Sequence, residues 1–212
     1  MPPLPTDNLR SPAALARFVL TTVIGLALDL ATKVWAFNEL LVSLVRRPDG
    51  TYGVESDVYE FIPGWLHFQV TVNQGAVFGL GQGQRWLFLI VSFAAIGFLT
   101  YLFATSGRQR LYQVLLGMLL AGVLGNMYDR LTYGYVRDMI HALSRFDVFP
   151  WIFNVADSLL CVGVTMVILY SLIGGPRGGD ASRGQGRRED DDEPDAERSH
   201  APPAEVVPPR QV

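Results

Sequence analysis

The sequence predicts an all-α membrane protein with four transmembrane helices and a small, β-containing extramembrane part on the outer face. Half of the 212 residues are hydrophobic and only 17 % are charged, against about 25 % in a typical soluble domain. Four stretches, at about 16–37, 86–105, 111–128 and 152–174, are long and apolar enough to cross a bilayer. A fifth segment, 65–72, is rich in aromatic and β-branched residues and partly alternates, which indicates a short strand.

The first stretch, 16–37, is predicted to be a retained helix. Its apolar run is too long for a secretory signal peptide, and no small-residue cleavage site follows it. Asp29 and Lys33 interrupt the run at a spacing of four, so they share a helix face and can form an ion pair. Pairing would reduce the free-energy penalty of two charges in lipid. Alternatively, Asp29 helps to organise a polar site.

The distribution of arginines predicts that both termini are cytoplasmic. The segments 38–85 and 129–151 hold six arginines, against eight near the helix ends on the other side: Arg10, Arg17, Arg108, Arg110, Arg177, Arg183, Arg187 and Arg188. The positive-inside rule therefore places those two segments on the outer side. We expect a cytoplasmic N-terminal segment, 1–15, followed by a four-span domain, 16–174.

The C-terminal segment, 175–212, has a different composition. It is rich in Gly, Pro, Arg, Asp and Glu and has no apolar period, which predicts a disordered cytoplasmic tail. Its acidic run, 189–193, could attract a partner. No basic patch with interleaved aromatic residues indicates a nucleic-acid partner. The single cysteine, Cys161, excludes an intrachain disulfide and a thiolate metal cluster.

Four carboxylates lie in or beside the predicted spans: Asp29, Asp129, Asp138 and Asp157. In the predicted topology, all four lie in the outer half of the membrane or at its outer surface. Ionisable side chains at membrane depth are energetically expensive, so their convergence from three separate helices indicates a polar functional site.

Each of two helix ends combines an amide with a carboxylate. Asn126, Asp129 and Arg130 share one face at the end of the third stretch. An aspartate beside an arginine stays ionised, which suits a scaffold better than proton transfer. Asn154 and Asp157 share a face at the start of the fourth stretch.

Asp138 and Asp157 are separated by a short loop and a helix start, so they can meet at the mouth of the bundle. Two neighbouring carboxyls cannot both ionise cheaply, and they share a proton. Such a pair suits water-mediated amide hydrolysis, with one carboxylate as base and one carboxyl as acid. The sequence has no HExxH motif and no glycine-rich phosphate loop, and its histidines have no plausible Ser or Cys partner.

Residue chemistry alone leaves other functions open. A proton-coupled carrier or small channel could use the same acids, although they gather at one face and four short helices leave little room for alternating access. A third interpretation is a membrane assembly factor that uses the acidic tail to attract a partner.

Four sequence blocks resemble the lipoprotein signal peptidase family, also called signal peptidase II. The resemblance covers about residues 15–175 and leaves both tails unexplained. Individually the blocks are modest motifs, but their order relative to four spans is specific. They are Asp29–Lys33, Asn73–Gly79, Gly125–Arg130 followed by Gly134–Asp138, and Phe153–Ser158.

This resemblance implies a concrete activity. Members of the family are four-span aspartic endopeptidases of the bacterial cytoplasmic (inner) membrane that cut prolipoproteins just before a diacylglyceryl-modified cysteine. They need no metal or organic cofactor, and the cyclic peptide globomycin inhibits them. The expected partners are therefore diacylglyceryl-modified prolipoproteins and membrane lipids, with the chain acting as a monomer.

The resemblance also implies roles for individual residues. Asp138 and Asp157 match the catalytic pair, and the segment 38–85 would form an extramembrane cradle over the substrate. Two departures flank the first carboxylate: Met139 stands where the family usually has phenylalanine, and Arg137 where an apolar residue is common. They bear on substrate preference or pH optimum. The positions that match binding or bracing residues are Asp29, Lys33, Asn73, Asn126, Asp129, Arg130 and Asn154.

Overall fold

A computed structural model describes residue 9 and residues 11–75, 83–107, 109–143, 145 and 151–173. Several sequence predictions lie outside these described residues. They concern the disordered tail at 175–212 and the part of the second sequence block that follows Gly75.

The four predicted membrane spans are confirmed as helices. All four are long and apolar enough to cross a membrane. The first starts earlier than predicted because the hydroxyl of Ser11 caps it, accepting from the backbone N–H of Ala14 at 3.4 Å. The last starts three residues later than predicted because the preceding residues belong to a strand. The bounds are α1 Pro12–Glu39, α2 Arg85–Thr105, α3 Arg110–Thr132 and α4 Val155–Ile173.

Helix α3 lies at the centre of the bundle and packs against each of the other three helices. In its most apolar window 56 % of the residues are buried, against 11 % for α4. The outer helices therefore expose apolar side chains over most of their length, which is the pattern of helices that contact lipid.

Glycines let α3 approach its neighbours closely. A Cβ at Gly117 would lie 2.7 Å from the carbonyl oxygen of Phe18 on α1. A Cβ at Gly122 would lie 2.7 Å from the carbonyl oxygen of Ala156 on α4. Small residues at such contacts allow backbones to pack tightly, which is the main attraction between helices in lipid. The close packing fixes the ends of α1, α3 and α4 relative to one another.

The described residues also form six β-strands, so the prediction of an all-α protein is wrong in this respect. Strands β1 and β2 pair as an antiparallel hairpin, and β3 to β6 form an antiparallel sheet in sequence order. The predicted strand at 65–72 is confirmed as β4. The bounds are β1 Leu41–Arg46, β2 Tyr52–Ser56, β3 Tyr59–Ile62, β4 Leu66–Asn73, β5 Val136–Ala142 and β6 Ile152–Phe153.

The strands connect helix ends on one side of the bundle. The segments after α1, before α2, after α3 and before α4 all lead into or out of them. Strands β4 and β5 pack against α1, where Ala36, Leu40, Val70 and Met139 form a buried cluster. Met139 therefore serves as a core residue and not as a wall of the polar site.

Candidate active site

Asp138 lies on β5 and is almost fully buried, with 2 % of its surface exposed. Antiparallel pairing of β4 with β5 sets it opposite Thr71 and brings the end of β4 to the same place. The side-chain nitrogen of Asn154 donates to Asp138 Oδ1 at 2.6 Å. The side chain of Asn73, at the end of β4, also hydrogen-bonds this carboxylate. Two strands and the start of α4 thus fix the position of Asp138.

Asp157 lies in the first turn of α4 and forms a reciprocal cap with Asn154. The backbone N–H of Asp157 donates to Asn154 Oδ1 at 2.8 Å, and the backbone N–H of Asn154 donates to Asp157 Oδ2 at 3.3 Å. This is the capping-box arrangement, which satisfies two N–H groups that a helix start leaves free. In the sequence, this cap is indicated by an asparagine followed three residues later by an aspartate.

Asn154 therefore contacts both predicted catalytic carboxylates. Its Oδ1 accepts from the helix, so its Nδ2 must point the other way, toward Asp138 Oδ1. At Asp157, Oδ2 accepts from Asn154 and Oδ1 accepts from the amide of Asn126 at 2.8 Å. Both oxygens of Asp157 are thus acceptors, an arrangement that suits the ionised form.

Burial raises the pKa of Asp138 from 3.8 to about 8. The negative charge of Asp157 is the second cause of this raised pKa, and the hydrogen bond from Asn154 opposes the shift. A carboxyl with this pKa holds a proton at neutral pH. The pair therefore combines a buried, proton-holding Asp138 with a partly exposed Asp157 whose oxygens both accept hydrogen bonds.

A buried ion cluster lies beside the two carboxylates. Lys33 Nζ is 2.7 Å from Asp29 Oδ2 and 3.1 Å from Asp129 Oδ2, and none of the three side chains is exposed. The pairing of Asp29 with Lys33 is the one that their spacing predicts. The guanidinium that binds Asp129 belongs to Arg137 and not to Arg130, its neighbour in the sequence.

Arg137 is the site residue whose role sequence reasoning missed. Its Nε and Nη2 donate to Asp129 Oδ1 at 3.1 and 2.8 Å, and its backbone N–H donates to Asp129 Oδ2 at 2.9 Å. Its carbonyl accepts from Asn154 Nδ2 at 3.3 Å. A buried carboxylate requires a cation, but both Arg130 and Arg137 satisfy that rule in the sequence. Arg137 is the partner because β5 runs back along the end of α3 and brings this arginine to Asp129.

Asp29 ties α1 to the start of α4. Its Oδ1 accepts from the backbone N–H of Ala156 at 2.8 Å, another of the free N–H groups at a helix start. There is no room for a side chain at Gly125 on α3, because a Cβ there would collide with Asp29 Oδ2. Asp29 therefore braces the helix that carries Asp157.

Asn126 and Arg130 lie on the side of the site formed by α3. Asn126 Oδ1 accepts from Lys33 Nζ at 3.3 Å and from Asn154 Nδ2 at 3.2 Å, so it links the ion cluster to the carboxylate pair. Arg130 donates to the carbonyl of Gly75 at 2.9 Å and lies over the ring of Phe88. Arg130 thus contacts backbone beyond β4, and no hydrogen bond joins it to either carboxylate within the described residues.

The charges of the whole site balance when the carboxylate pair holds one proton. Arg130 is close enough to interact electrostatically with Asp157 and Asp138, although it pairs with neither. With both carboxylates ionised the site would carry one excess negative charge, and one proton removes it. The members of the site are the cations Lys33, Arg130 and Arg137 and the acids Asp29, Asp129, Asp138 and Asp157.

Within the described ranges, no group of three or more His, Cys, Asp and Glu side chains is arranged to hold a metal ion. His67 and His141 face each other across β4 and β5, with ring centroids 6.3 Å apart.

The chain is similar to known proteins over most of its length. The profile of the family described as "Signal peptidase (SPase) II" matches residues 21–173. A lipoprotein signal peptidase from Streptococcus pyogenes serotype M2 (strain MGAS10270) is 35 % identical over 153 residues, 72 % of this chain and 90 % of the relative. The corresponding protein of serotype M5 (strain Manfredo) has the same identity and coverage.

Two solved structures share the fold. A bacterial membrane enzyme determined by the in meso method at 2.3 Å resolution superposes with a TM-score of 0.62 and 30 % identity. The superposition covers 74 % of this chain and 88 % of that one. A second bacterial membrane enzyme, determined at 1.9 Å resolution, gives a TM-score of 0.60 at 29 % identity, covering 74 % and 94 %.

Proposed function

Because the chain belongs to the signal peptidase II family, we propose that it removes signal peptides from prolipoproteins as an aspartic endopeptidase of the bacterial inner membrane. The bond cleaved is the one before the diacylglyceryl-modified cysteine. The observation that carries the aspartic mechanism is the contact of Asn154 with both Asp138 and Asp157. The side-chain amide of Asn154 donates to Asp138 and its backbone N–H donates to Asp157, so one residue holds both carboxyls in one polar site, as shared-proton catalysis requires.

The two carboxyls have different roles in this proposal. Ionised Asp157, which is partly exposed, takes a proton from the attacking water. Protonated Asp138 donates a hydrogen bond to the scissile carbonyl and then a proton to the leaving nitrogen. The acceptor bonds on both oxygens of Asp157 and the buried position of Asp138 support this division.

The surrounding residues act as braces. Asn126 and Asn154 orient the pair, Asn73 and Arg130 hold the β4 end, and the buried ion cluster fixes the helices. These side chains need not touch the substrate for the mechanism to work. The ion cluster consists of Asp29, Lys33, Asp129 and Arg137.

The proposed topology has both termini in the cytoplasm and the carboxylate pair at the outer face. Its support is the placement of the arginines together with the position of the strands, which all join helix ends on one side of the bundle. The segments 1–15 and 175–212 are then cytoplasmic, and 16–174 is the peptidase domain. We propose that it acts as a monomer on a substrate that shares its bilayer.

Incubating the purified full-length protein with a peptide that contains diacylglyceryl-cysteine tests this function. We expect cleavage immediately before the modified cysteine and inhibition by globomycin. The matched control is the same peptide with an unmodified cysteine, which we expect to remain intact. Absence of cleavage, or equal cleavage of both peptides, would contradict the proposed substrate class.

The pH dependence of that cleavage tests the protonated state of Asp138. A carboxyl whose pKa is raised to about 8 keeps its proton below that pH and loses it above. We therefore expect kcat/KM to fall as pH rises through 8, approaching about tenfold per pH unit beyond it. Asp57→Asn removes an exposed carboxylate and should leave this fall of kcat/KM with pH unchanged. A rate that is constant from pH 7 to pH 10 would contradict the assignment.

A further inference from the structure

A polar cavity of about 460 Å³ lies beside the strands and is separate from the carboxylate pair. The tip of the β1–β2 hairpin, the end of β4, the start of α2 and the turn after α3 form its walls. Its volume is in the range of sites that bind small molecules. The polar side chains among its lining residues include Arg46, Thr51, Tyr52, Gln74, Arg85 and Tyr133.

The base of this cavity lies at the level where two membrane helices end. Arg85 is the first residue of α2, and Tyr133 directly follows the last residue of α3. Trp86, next to Arg85, is 72 % exposed, and exposed tryptophans are typical of the membrane–water interface. The cavity therefore opens at the depth of lipid headgroups, just outside the hydrocarbon core.

The lining of the cavity carries positive charge, and one of its arginines keeps a nitrogen without a hydrogen-bond partner among the described residues. Arg85 Nη2 donates to the carbonyl of Leu131 at 2.8 Å, but the buried Nε of Arg85 has no hydrogen-bond partner among the described residues. Arg46 adds a second guanidinium. The side chain of Gln84 does not cap the start of α2, so the first backbone N–H groups of this helix and its dipole also favour an anion.

The one acidic side chain in the lining does not cancel this charge. The carboxylate of Asp49 accepts from the backbone N–H of Thr51 at 2.9 Å and from its hydroxyl at 2.7 Å. These bonds hold Asp49 to its own turn. The lining therefore has two positive guanidinium groups and one carboxylate that is already hydrogen-bonded, so its net charge is positive.

The hairpin wall of the cavity is tied to the rest of the fold. Gln74 Nε2 donates to the carbonyl of Gly50 at 3.1 Å, and the N–H of Gly50 donates to the carbonyl of Arg47 at 3.0 Å. The ring of Tyr52 packs edge-on against Tyr135 with centroids 5.0 Å apart. A wall with a bonded turn and two contacts to the rest of the fold can present a prearranged site, which lowers the entropic penalty of binding.

We propose that this cavity binds the phosphate group of an anionic phospholipid from the surrounding bilayer. Guanidinium groups form paired hydrogen bonds with phosphate oxygens, and two of them border the cavity. The interfacial depth identifies a lipid as the source of the phosphate, because lipid phosphates are concentrated at that level. The lipid would anchor the hairpin and the start of α2 to the membrane surface.

Native mass spectrometry of the full-length protein, released from detergent with added phosphatidylglycerol or phosphatidylcholine, tests the proposal. We expect a bound phosphatidylglycerol that phosphatidylcholine does not replace. Arg46→Gln and the double variant Arg46→Gln/Arg85→Gln should each raise the dissociation constant at least about tenfold. The matched control is Arg47→Gln, which removes a neighbouring hairpin arginine outside the cavity lining and should bind like the unchanged chain.

Three results would overturn the proposal. Equal retention of phosphatidylglycerol by the Arg46→Gln variant and the unchanged chain would exclude a role for the cavity. Displacement of the lipid by millimolar inorganic phosphate would assign the site to a free anion. If Arg47→Gln weakened phosphatidylglycerol binding as much as Arg46→Gln does, the lipid would be attracted non-specifically by a basic surface. Because Arg46 is exposed on the hairpin, the single variant keeps the test valid if the double variant does not fold.

Discussion

Replacing either carboxyl of the pair, by Asp138→Asn or Asp157→Asn, is expected to abolish cleavage of a diacylglyceryl-cysteine peptide. Each asparagine keeps the size of the side chain and one oxygen acceptor, so the bonds from Asn154 can persist. Neither amide can accept a proton from water or donate one to a leaving nitrogen. Because the two groups act as one unit, we expect a fall in kcat/KM of at least about 10³-fold for either change.

The matched control for these variants is Asp57→Asn, which makes the same chemical change at an exposed extramembrane position. It should cleave at the normal rate. All three variants should insert in the membrane and unfold at similar temperatures in detergent, so that lost activity reports chemistry. Cleavage by Asp138→Asn or Asp157→Asn within about tenfold of the normal rate would refute the mechanism.

Lys33→Met is expected to have the largest effect on stability. It removes the cation that contacts both Asp29 and Asp129, and none of these three side chains is exposed. Breaking a buried ion pair by deleting one partner typically costs about 3–5 kcal/mol, because an unpaired charge stays behind. We expect a matching loss of free energy of unfolding, measured by thermal or denaturant unfolding in detergent micelles.

A second substitution that restores the charge balance separates this effect from lost packing. In Lys33→Met/Asp29→Asn, the new amide oxygen can still accept from the N–H of Ala156, and one negative charge has gone with the lysine. The double variant should recover a substantial part of the lost stability. If it is as unstable as Lys33→Met, the effect comes from side-chain shape and the electrostatic explanation is wrong.

The membrane helices could be predicted from the sequence because length and apolar character determine them directly. The four spans and strand β4 were recognised this way, with errors of a few residues at their ends. Strands β1, β2, β3, β5 and β6 were missed because each is short and its pairing depends on distant segments. Strand β5 in particular pairs with β4 on one side and β6 on the other. Its own sequence therefore does not predict it.

The ion pair of the site was predictable where the partners share a helix. Asp29 and Lys33 are four residues apart, and helix geometry alone brings them together. The sequence did not identify the partner of Asp129, because Arg130 is its neighbour in sequence while Arg137 reaches it through β5. The catalytic roles of Asp138 and Asp157 remain predictions that the proposed assays would test.

The buried ion cluster has a consequence for how the chain is made. Lys33 follows Asp29 by four residues on the same helix, so the acid of α1 finds a counter-ion within its own span. The nascent α1 can then enter lipid with this charge already neutralised, before α3 and α4 have been synthesised. The contact between Lys33 and Asp129 needs both spans and can form only afterwards. Insertion and helix assembly are thereby separated into two successive steps.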